Sequence, residues 1–379
     1  MMLFVNGLGL GLTDNTAANL ERQGKYVWQI PEGFPTPAVP ADNPMTLEKV
    51  ALGRQLFFDP RLSGDGSVSC ASCHQPELAF TDGRRQAKGI QNHIHPRSAM
   101  SLTNVAYNAT LGWDDPTLTR LEDQILIPLY NTQPPEMGVS GREEEILNRL
   151  KNDHRLRELF RSAFPQDKSR VTMRNVIYAL ASFERTLISG NSPYDRWAYG
   201  ADSGALDREQ RAGARLFFSK RLSCFRCHAG VNLSGPIQYA GSKAPEARFH
   251  NTGLYSEDGT GAYPEPNTGL QRHTGRDGDM GKFRAPTLRN IALTAPYMHD
   301  GSIATLEEVL DHYAAGGRSC ASSQTADTCP HTDPLIAGFE LTPEQKRQLI
   351  AFLQALTDPT FIHQAMEQAK TGHLIFPPN

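Results

Sequence analysis

Two copies of a Cys-x-x-Cys-His pattern stand out in this chain of 379 residues. The first motif, CASCH, covers residues 70–74, and the second motif, CFRCH, covers residues 224–228. In this pattern the two thiols can form thioethers with the vinyl groups of a haem, and the adjacent histidine then ligates the iron. The sequence therefore predicts two c-type haems with His74 and His228 as proximal ligands. The attachment cysteines would be Cys70, Cys73, Cys224 and Cys227.

Zinc binding and dithiol redox chemistry are the other uses of paired cysteines. Zinc ribbons separate their two Cys-x-x-Cys pairs by roughly 15–20 residues, whereas the pairs here are about 150 residues apart. Neither motif follows a βαβ pattern, which is typical of thioredoxin-like dithiols. The spacing therefore favours covalent haem.

An internal repeat precedes both motifs. Residues 53–63 (GRQLFFDPRLS) recur as residues 213–223 (GARLFFSKRLS), a period of about 160 residues that is too long for a solenoid. A duplicated unit explains this period, so we expect two tandem cytochrome c-like domains, each with one haem. The predicted division is an extended N-terminal segment over 1–42, a first haem domain over 43–195 and a second over 196–379.

Composition restricts the function classes. The net charge is only −3 and no apolar run approaches the roughly 18 residues of a membrane span, so neither nucleic acid nor a membrane span is predicted. Cys320 and Cys329 remain outside the motifs and are predicted to form a disulfide, with free thiols as the alternative. A disulfide and c-type haem would both be typical of the bacterial periplasm. Residues 1–12 lack the features of a signal peptide and are interpreted as a leader remnant or replacement sequence.

The elements that must position these residues are predicted to be mainly α, because helix signals are plentiful and alternating strand patterns are few. Asn43, followed by Pro44, is predicted to begin a helix that ends near Phe58. Another helix is predicted over about 171–188. Capping boxes predict five further helix starts, which are Thr119 with Glu122, Ser140 with Glu143, Asp207 with Gln210, Thr305 with Glu308, and Thr342 with Gln345.

The helix predicted from Thr119 places a glutamine and a proline, Gln124 and Pro128, on an otherwise apolar face. Proline would end this helix, and the turn that follows carries Glu136. From the residues alone, Gln124 and Glu136 are either groups beside an open haem or a core amide and a solvated carboxylate.

The helix predicted from Thr305 carries Tyr313 on the same apolar face as Leu306 and Leu310. A phenolate oxygen can ligate haem iron. Met298 and His312 are rival axial ligands, because methionine is the usual partner of histidine in electron-transfer haems.

Both motifs, together with residues 283–290 (FRAPTLRN) and 294–301 (TAPYMHDG), resemble the bacterial di-haem cytochrome c peroxidases. They are more closely similar to the MauG enzymes, which oxidise a partner protein. The resemblance covers about residues 47–358. Stretches over 43–45, 95–101 and 183–188 look most similar to the methanobactin-associated MbnH-like enzymes, which are thought to oxidise a tryptophan of a partner protein to kynurenine.

The resemblance implies roles for five residues. Gln124, Pro128 and Glu136 would form the distal pocket of a peroxide-reacting first haem. Trp113 would lie between the haems, and Tyr313 would ligate the second iron, where peroxidases proper supply methionine.

The resemblance also implies a calcium ion between the haems, held near Ser98, Thr294 and Pro296, although Ser98 replaces the usual asparagine. Leu222 stands where MauG has a surface tryptophan, so the exit route for the oxidising hole must differ. A loop histidine ligates the resting first haem in many of these peroxidases. For His93 and His95, however, a solvent-facing position is the favoured interpretation.

The implied function is that of a peroxide-dependent oxidase. Hydrogen peroxide would generate a bis-ferryl state, which then oxidises an aromatic residue, a tryptophan, of a partner protein by long-range electron transfer. One alternative is a cytochrome c peroxidase that takes electrons from a small redox protein. The other is a non-enzymatic di-haem electron carrier.

Overall fold

The computed structural model describes residues 26–257, 259–318 and 330–371. Cys320, Cys329 and residues 1–12 lie outside the described residues. The described part is mostly helical, which confirms the predicted mainly α class. Its α-helices are α1 Leu47–Phe57, α2 Cys70–Cys73, α3 Leu121–Tyr130, α4 Glu143–Lys151, α5 His154–Ala163, α6 Met173–Glu184, α7 Pro193–Ala198, α8 Arg208–Phe217, α9 Gln271–Thr274, α10 Leu306–Ala314, α11 Pro343–Gln354 and α12 Pro359–Thr371. Strand β1, Phe249–His250, pairs antiparallel with β2, Phe283–Arg284.

Three of the five predicted capping boxes are present, at the starts of α8, α10 and α11. The predicted starts at Thr119 and Ser140 are wrong, because α3 begins at Leu121 and α4 at Glu143. Glu122, which the first box requires, accepts hydrogen bonds from Arg185 instead. Gly141 follows Ser140 with a φ of 75°, a left-handed conformation that excludes it from the first turn of a helix.

The predicted helix start at Asn43 is also wrong. Helix α1 begins at Leu47, and the hydroxyl of Thr46 accepts a hydrogen bond from the Lys49 N–H at 3.1 Å as the N-cap. Asn43 is fully buried, and its amide donates to Glu122 Oε1 at 2.7 Å. Because the Asn43 side chain binds Glu122, which is distant in the sequence, it does not cap the helix. The helix predicted over 171–188 is α6, which ends four residues earlier than expected.

The internal repeat corresponds to two equivalent helix crossings. A Cβ added at Gly53 in α1 would lie 1.9 Å from the carbonyl oxygen of Ala179 in α6. A Cβ added at Gly213 in α8 would likewise lie 1.9 Å from the carbonyl oxygen of Gln348 in α11. Only glycine permits backbones to approach this closely, so the repeated glycine sets the same α1/α6 and α8/α11 packing in both halves.

Two hydrophobic cores follow from these crossings. The first core collects buried residues over 45–187, and the second collects buried residues over 194–356. Helix α12 returns to the first core through Phe361 and Ala365. None of the described helices is long and apolar enough to cross a membrane.

Candidate haem sites and the cavity between them

Each motif histidine directs one ring nitrogen to a backbone carbonyl. His74 Nδ1 lies 2.9 Å from the Phe80 oxygen, and His228 Nδ1 lies 3.1 Å from the Leu233 oxygen. Donation from Nδ1–H fixes the tautomer that leaves Nε2 free for a metal. Burial lowers the pKa of His74, and that of His228 to about 4, so both rings are neutral at pH 7. Neutral imidazole is the form that ligates iron.

The motif cysteines do not have the properties of a redox dithiol or a zinc site. Burial raises the pKa values of Cys73, Cys224 and Cys227 to about 11. Redox-active dithiols have lowered pKa values instead. The described residues also include no cluster of three or more His, Cys, Asp or Glu that could hold a metal ion. Two adjacent thiols and an oriented histidine at each motif fit a covalently attached haem.

A buried ion pair holds the loop that orients His228. Arg289 Nη1 lies 2.7 Å from Asp195 Oδ2, and its Nε donates to the Val231 carbonyl at 2.6 Å. The Leu288 N–H donates to the Leu233 oxygen at 3.3 Å, beside the bond from His228. The segment over 283–290 therefore positions the hydrogen-bond acceptor of the second motif histidine.

The turn that carries Glu136 lies beside the first motif. The Lys88 carbonyl oxygen is 3.5 Å from Cys73 Sγ, and the next residue, Gly89, lies against the turn. A Cβ at Gly89 would come within 2.3 Å of the Pro135 oxygen, so glycine allows this approach. The loop after the first motif thus brings Glu136 close to the attachment cysteines.

Helix α3 contacts the same turn at its carboxyl end. The Met137 N–H donates to the Pro128 carbonyl at 2.9 Å, and the helix continues two residues beyond Pro128 to Tyr130. Leu121 is buried in the first core as the apolar face predicts, whereas Gln124 and Pro128 are half-buried. The structure therefore brings Pro128 and Glu136 together at one end of α3.

Glu136 lies beside a histidine, His95, whose burial was not predicted from the sequence. His95 Nδ1 lies 3.6 Å from Glu136 Oε1, and His95 is only 8% exposed. The expectation of a solvent-facing loop histidine is wrong for His95, whereas His93 is exposed as expected. Glu136 keeps 36% of its side-chain surface accessible, yet the surrounding protein raises its pKa to about 7 by desolvation. A carboxyl group with this pKa can both accept and donate a proton near neutrality.

Tyr313 lies beside the second motif. Burial raises the pKa of its phenol, and the neighbouring Cys227 and Cys224 raise it further. The rival ligand His312 is buried, and its Nε2 lies 2.9 Å from the Thr252 carbonyl. The helix α10 therefore presents the tyrosine, rather than this histidine, to the attachment cysteines.

Trp113 lines a cavity of about 70 Å³ to which both halves contribute. Its indole Nε1 donates to the Ser98 carbonyl at 3.2 Å. The lining includes Thr81, next to the carbonyl that holds His74, and Pro286, within the segment over 283–290 that supports His228. Trp113 therefore shares a cavity wall with residues from the segments that hold both motif histidines.

The three residues expected near a calcium ion line the same cavity. Ser98, Thr294 and Pro296 all contribute to its wall, and the Ser98 hydroxyl donates to the Met298 carbonyl at 3.2 Å. Hydroxyl and carbonyl oxygens are donors that suit Ca²⁺. Leu222, the counterpart of the surface tryptophan of MauG, is 5% exposed.

A buried carboxyl group near the first motif was missed from the sequence. Glu184 in α6 is 5% exposed, burial raises its pKa to about 8, and its charge acts on Cys70. The residue before it, Phe183, contacts Gly53 as Phe352 contacts Gly213, so Leu353 is the counterpart of Glu184 in the second half. Extending the internal repeat into α6 and α11 would have revealed this difference.

The chain is similar to known proteins over most of its length. A family model described as di-haem cytochrome c peroxidase matches residues 47–203. Methylamine utilization protein MauG of Methylorubrum extorquens is 37% identical over 328 residues, which cover 86% of this chain and 82% of that protein. Cytochrome-c peroxidase IdrP1 of Denitromonas iodatirespirans is 35% identical, over 86% of this chain and 85% of that protein. A crystal structure of a MauG-like protein associated with microbial copper homeostasis is 45% identical, with a TM-score of 0.85 over 89% of this chain and 97% of that one.

Proposed function

The chain belongs to the di-haem cytochrome c peroxidase family, whose members are di-haem peroxidases or oxidoreductases such as MauG, and on this premise we propose a specific role. It is a peroxide-dependent oxidase that withdraws electrons from an aromatic residue, a tryptophan, of a partner protein. The observation that carries the proposal is the asymmetry of the two motifs. A carboxyl group with a pKa of about 7 lies beside the first, and a buried tyrosine lies beside the second.

At the first motif, Glu136 is the proton-transfer group. The bound haem supplies the iron that exchanges electrons with peroxide. Glu136 takes the proton of the inner peroxide oxygen and delivers it to the outer oxygen, which then leaves as water. Gln124 orients the peroxide by hydrogen bonding. Pro128 contributes a ring without a donor atom, so the pocket stays open.

At the second motif, Tyr313 and His228 would hold the haem iron. An anionic oxygen ligand favours the higher oxidation states of iron. Trp113 couples the two sites, so that the two oxidising equivalents of one peroxide are shared between them. The partner residue then donates two electrons by long-range transfer.

Several further assignments belong to this proposal. Each half, over 43–195 and 196–379, holds one c-type haem, and a calcium ion binds near Ser98, Thr294 and Pro296. The protein works in the periplasm, where its family members occur as c-type cytochromes. The similarity to a MauG-like protein associated with copper homeostasis supports the MbnH-like subgroup and a copper-handling partner protein.

A cytochrome c peroxidase is the second candidate, since a relative with that name matches over the same share of the chain. Incubation with hydrogen peroxide and the protein encoded beside it distinguishes the two. A partner tryptophan that gains oxygen by peptide mass analysis supports the oxidase. Rapid consumption of reduced cytochrome c without such a product supports the peroxidase. A protein with two haems that does not respond to peroxide would be only an electron carrier.

A further inference from the structure

Arg284 is a buried cation in the wall between the two motif regions. The residue is 8% exposed, and it belongs to strand β2. Its backbone N–H donates to the Trp113 carbonyl at 2.8 Å, and its Nε donates to the Gly112 carbonyl at 3.1 Å. Its Nη2 lies 3.8 Å from Met100 Sδ, which is a weak acceptor. The guanidinium is thus fixed in place by neutral groups.

Two other buried arginines of the described part have carboxylate partners. Arg185 lies 2.6 Å from Glu122, and Arg289 lies 2.7 Å from Asp195. The half-buried Arg97 lies 2.6 Å from Asp114, and the buried Arg54 donates to the Gln368 carbonyl. Among the described residues, no carboxylate comes within ion-pair distance of Arg284. Burial lowers its pKa to about 10, which still leaves it charged at pH 7. Burying a charge without a counter-charge has a large free-energy cost, so a bound anion would stabilise the protein at this position.

The guanidinium lines two adjoining cavities, and neither has an acidic residue in its wall. The larger is the cavity that Trp113 lines. The smaller one, of about 10 Å³, is bordered by Ser234, next to the carbonyl that holds His228, and by Arg248, whose charge acts on Cys227. Two arginines and several neutral donors therefore converge beside the second motif.

We propose that Arg284 is an anion-binding residue whose ligand is a carboxylate side chain of haem, with Arg248 as a second cation at the rim. The inference rests on the proposal that both motifs carry haem. Haem bears two ionised propionate groups at one edge, and guanidinium binds carboxylates through paired hydrogen bonds. The same contact places a fixed positive charge near Trp113 and the haem, which favours the reduced iron.

The test replaces Arg284 with glutamine in the haem-loaded protein and measures both reduction potentials by spectroelectrochemical titration. Glutamine removes the charge but can still donate to the Gly112 carbonyl. We expect the reduction equilibrium of at least one haem to fall by about tenfold, which is 59 mV for a one-electron couple. Arg284→Lys should restore most of the loss. Arg276→Met removes an exposed arginine from the same half and should change neither potential.

Three outcomes would decide the matter. A protein with fewer than two covalent haems contradicts the proposed function itself. Two haems with unchanged potentials in Arg284→Gln overturn only the role of Arg284. Acetate or phosphate, titrated at constant ionic strength, should leave the wild-type potentials unchanged. A shift that saturates in wild type and is absent from Arg284→Gln would assign the site to a free anion and overturn the haem carboxylate.

Discussion

The two motif regions hold their histidines in the same way but differ in the side chains that lie beside the attachment cysteines. In both, a helix glycine permits a close crossing, at Gly53 and Gly213, and a left-handed residue offers the carbonyl that orients the motif histidine. Beside the first motif lie two carboxyl groups with raised pKa values, Glu136 and Glu184. Beside the second lies the buried phenol of Tyr313. Duplication has therefore kept the means of holding a histidine, while the side chains beside the attachment cysteines have diverged.

The largest effect should come from removing one attachment site. Cys224→Ala with Cys227→Ala should reduce the haem content from two to one, because each haem is held by its own thioethers. Denaturing mass analysis and haem extraction measure this directly. The matched pair Cys70→Ala with Cys73→Ala should remove the other haem, and loss of both haems from either pair would contradict independent sites.

Loss of the proton-transfer group at the first site should have the next largest effect. Glu136→Gln should slow the peroxide reaction by about 10²–10⁴-fold, the range for a positioned acid–base group. Because the pKa of Glu136 is raised to about 7, the carboxylate that accepts the first proton forms as the pH rises through 7. The wild-type rate should therefore increase over that range, and the variant should lose this dependence. Stopped-flow absorbance checks both, and an unchanged pH profile in the variant would exclude Glu136 as the base.

Tyr313→Phe should alter the second site alone. The spectrum of the haem held by His228 should change, and the oxidised state should decay about tenfold faster, a difference of ~1.4 kcal/mol. Met298→Leu serves as the control for the rival ligand and should leave the spectrum unchanged. The reverse pattern, with a change only in Met298→Leu, would assign methionine as the ligand.

The smallest effect is expected on the pH dependence of the free energy of unfolding. It comes from Glu184, whose counterpart in the second half is Leu353. The pKa of Glu184 is raised to about 8 in the folded protein, so the folded state keeps a proton that the unfolded chain has released above about pH 4.5. The free energy of unfolding should therefore fall as the pH rises toward 8, on the order of 1 kcal/mol per pH unit. Glu184→Leu, which copies Leu353, should reduce this slope in denaturant titrations. The exposed control Glu144→Gln should preserve it.

The sequence was sufficient for several local signals. The capping boxes at Asp207, Thr305 and Thr342 each depend on neighbouring residues, and all three are found as predicted. Helix α12 was not predicted, although Asp358 accepts a hydrogen bond from the Phe361 N–H as a helix-capping residue would. That signal could have been recognised.

The box at Ser140 fails for a local reason, the left-handed conformation of Gly141. Other errors arose where distant partners compete for a side chain. Asn43 and Glu122 bind one another across 79 positions, so neither serves the cap that its local pattern suggests. His95 is buried because the turn that carries Glu136 packs beside it. The uncompensated charge of Arg284 also becomes evident only when its surroundings in both halves are known.

The central claim is that peroxide reacts at the first site while the second site shares the oxidation. Freeze-quench electron paramagnetic resonance after one equivalent of hydrogen peroxide tests it most directly, because the two ferric haems give distinct signals. We expect both signals to disappear together and to return together when the partner protein is oxidised. Loss of the first signal alone, with the signal of the Tyr313 site unchanged, would contradict it.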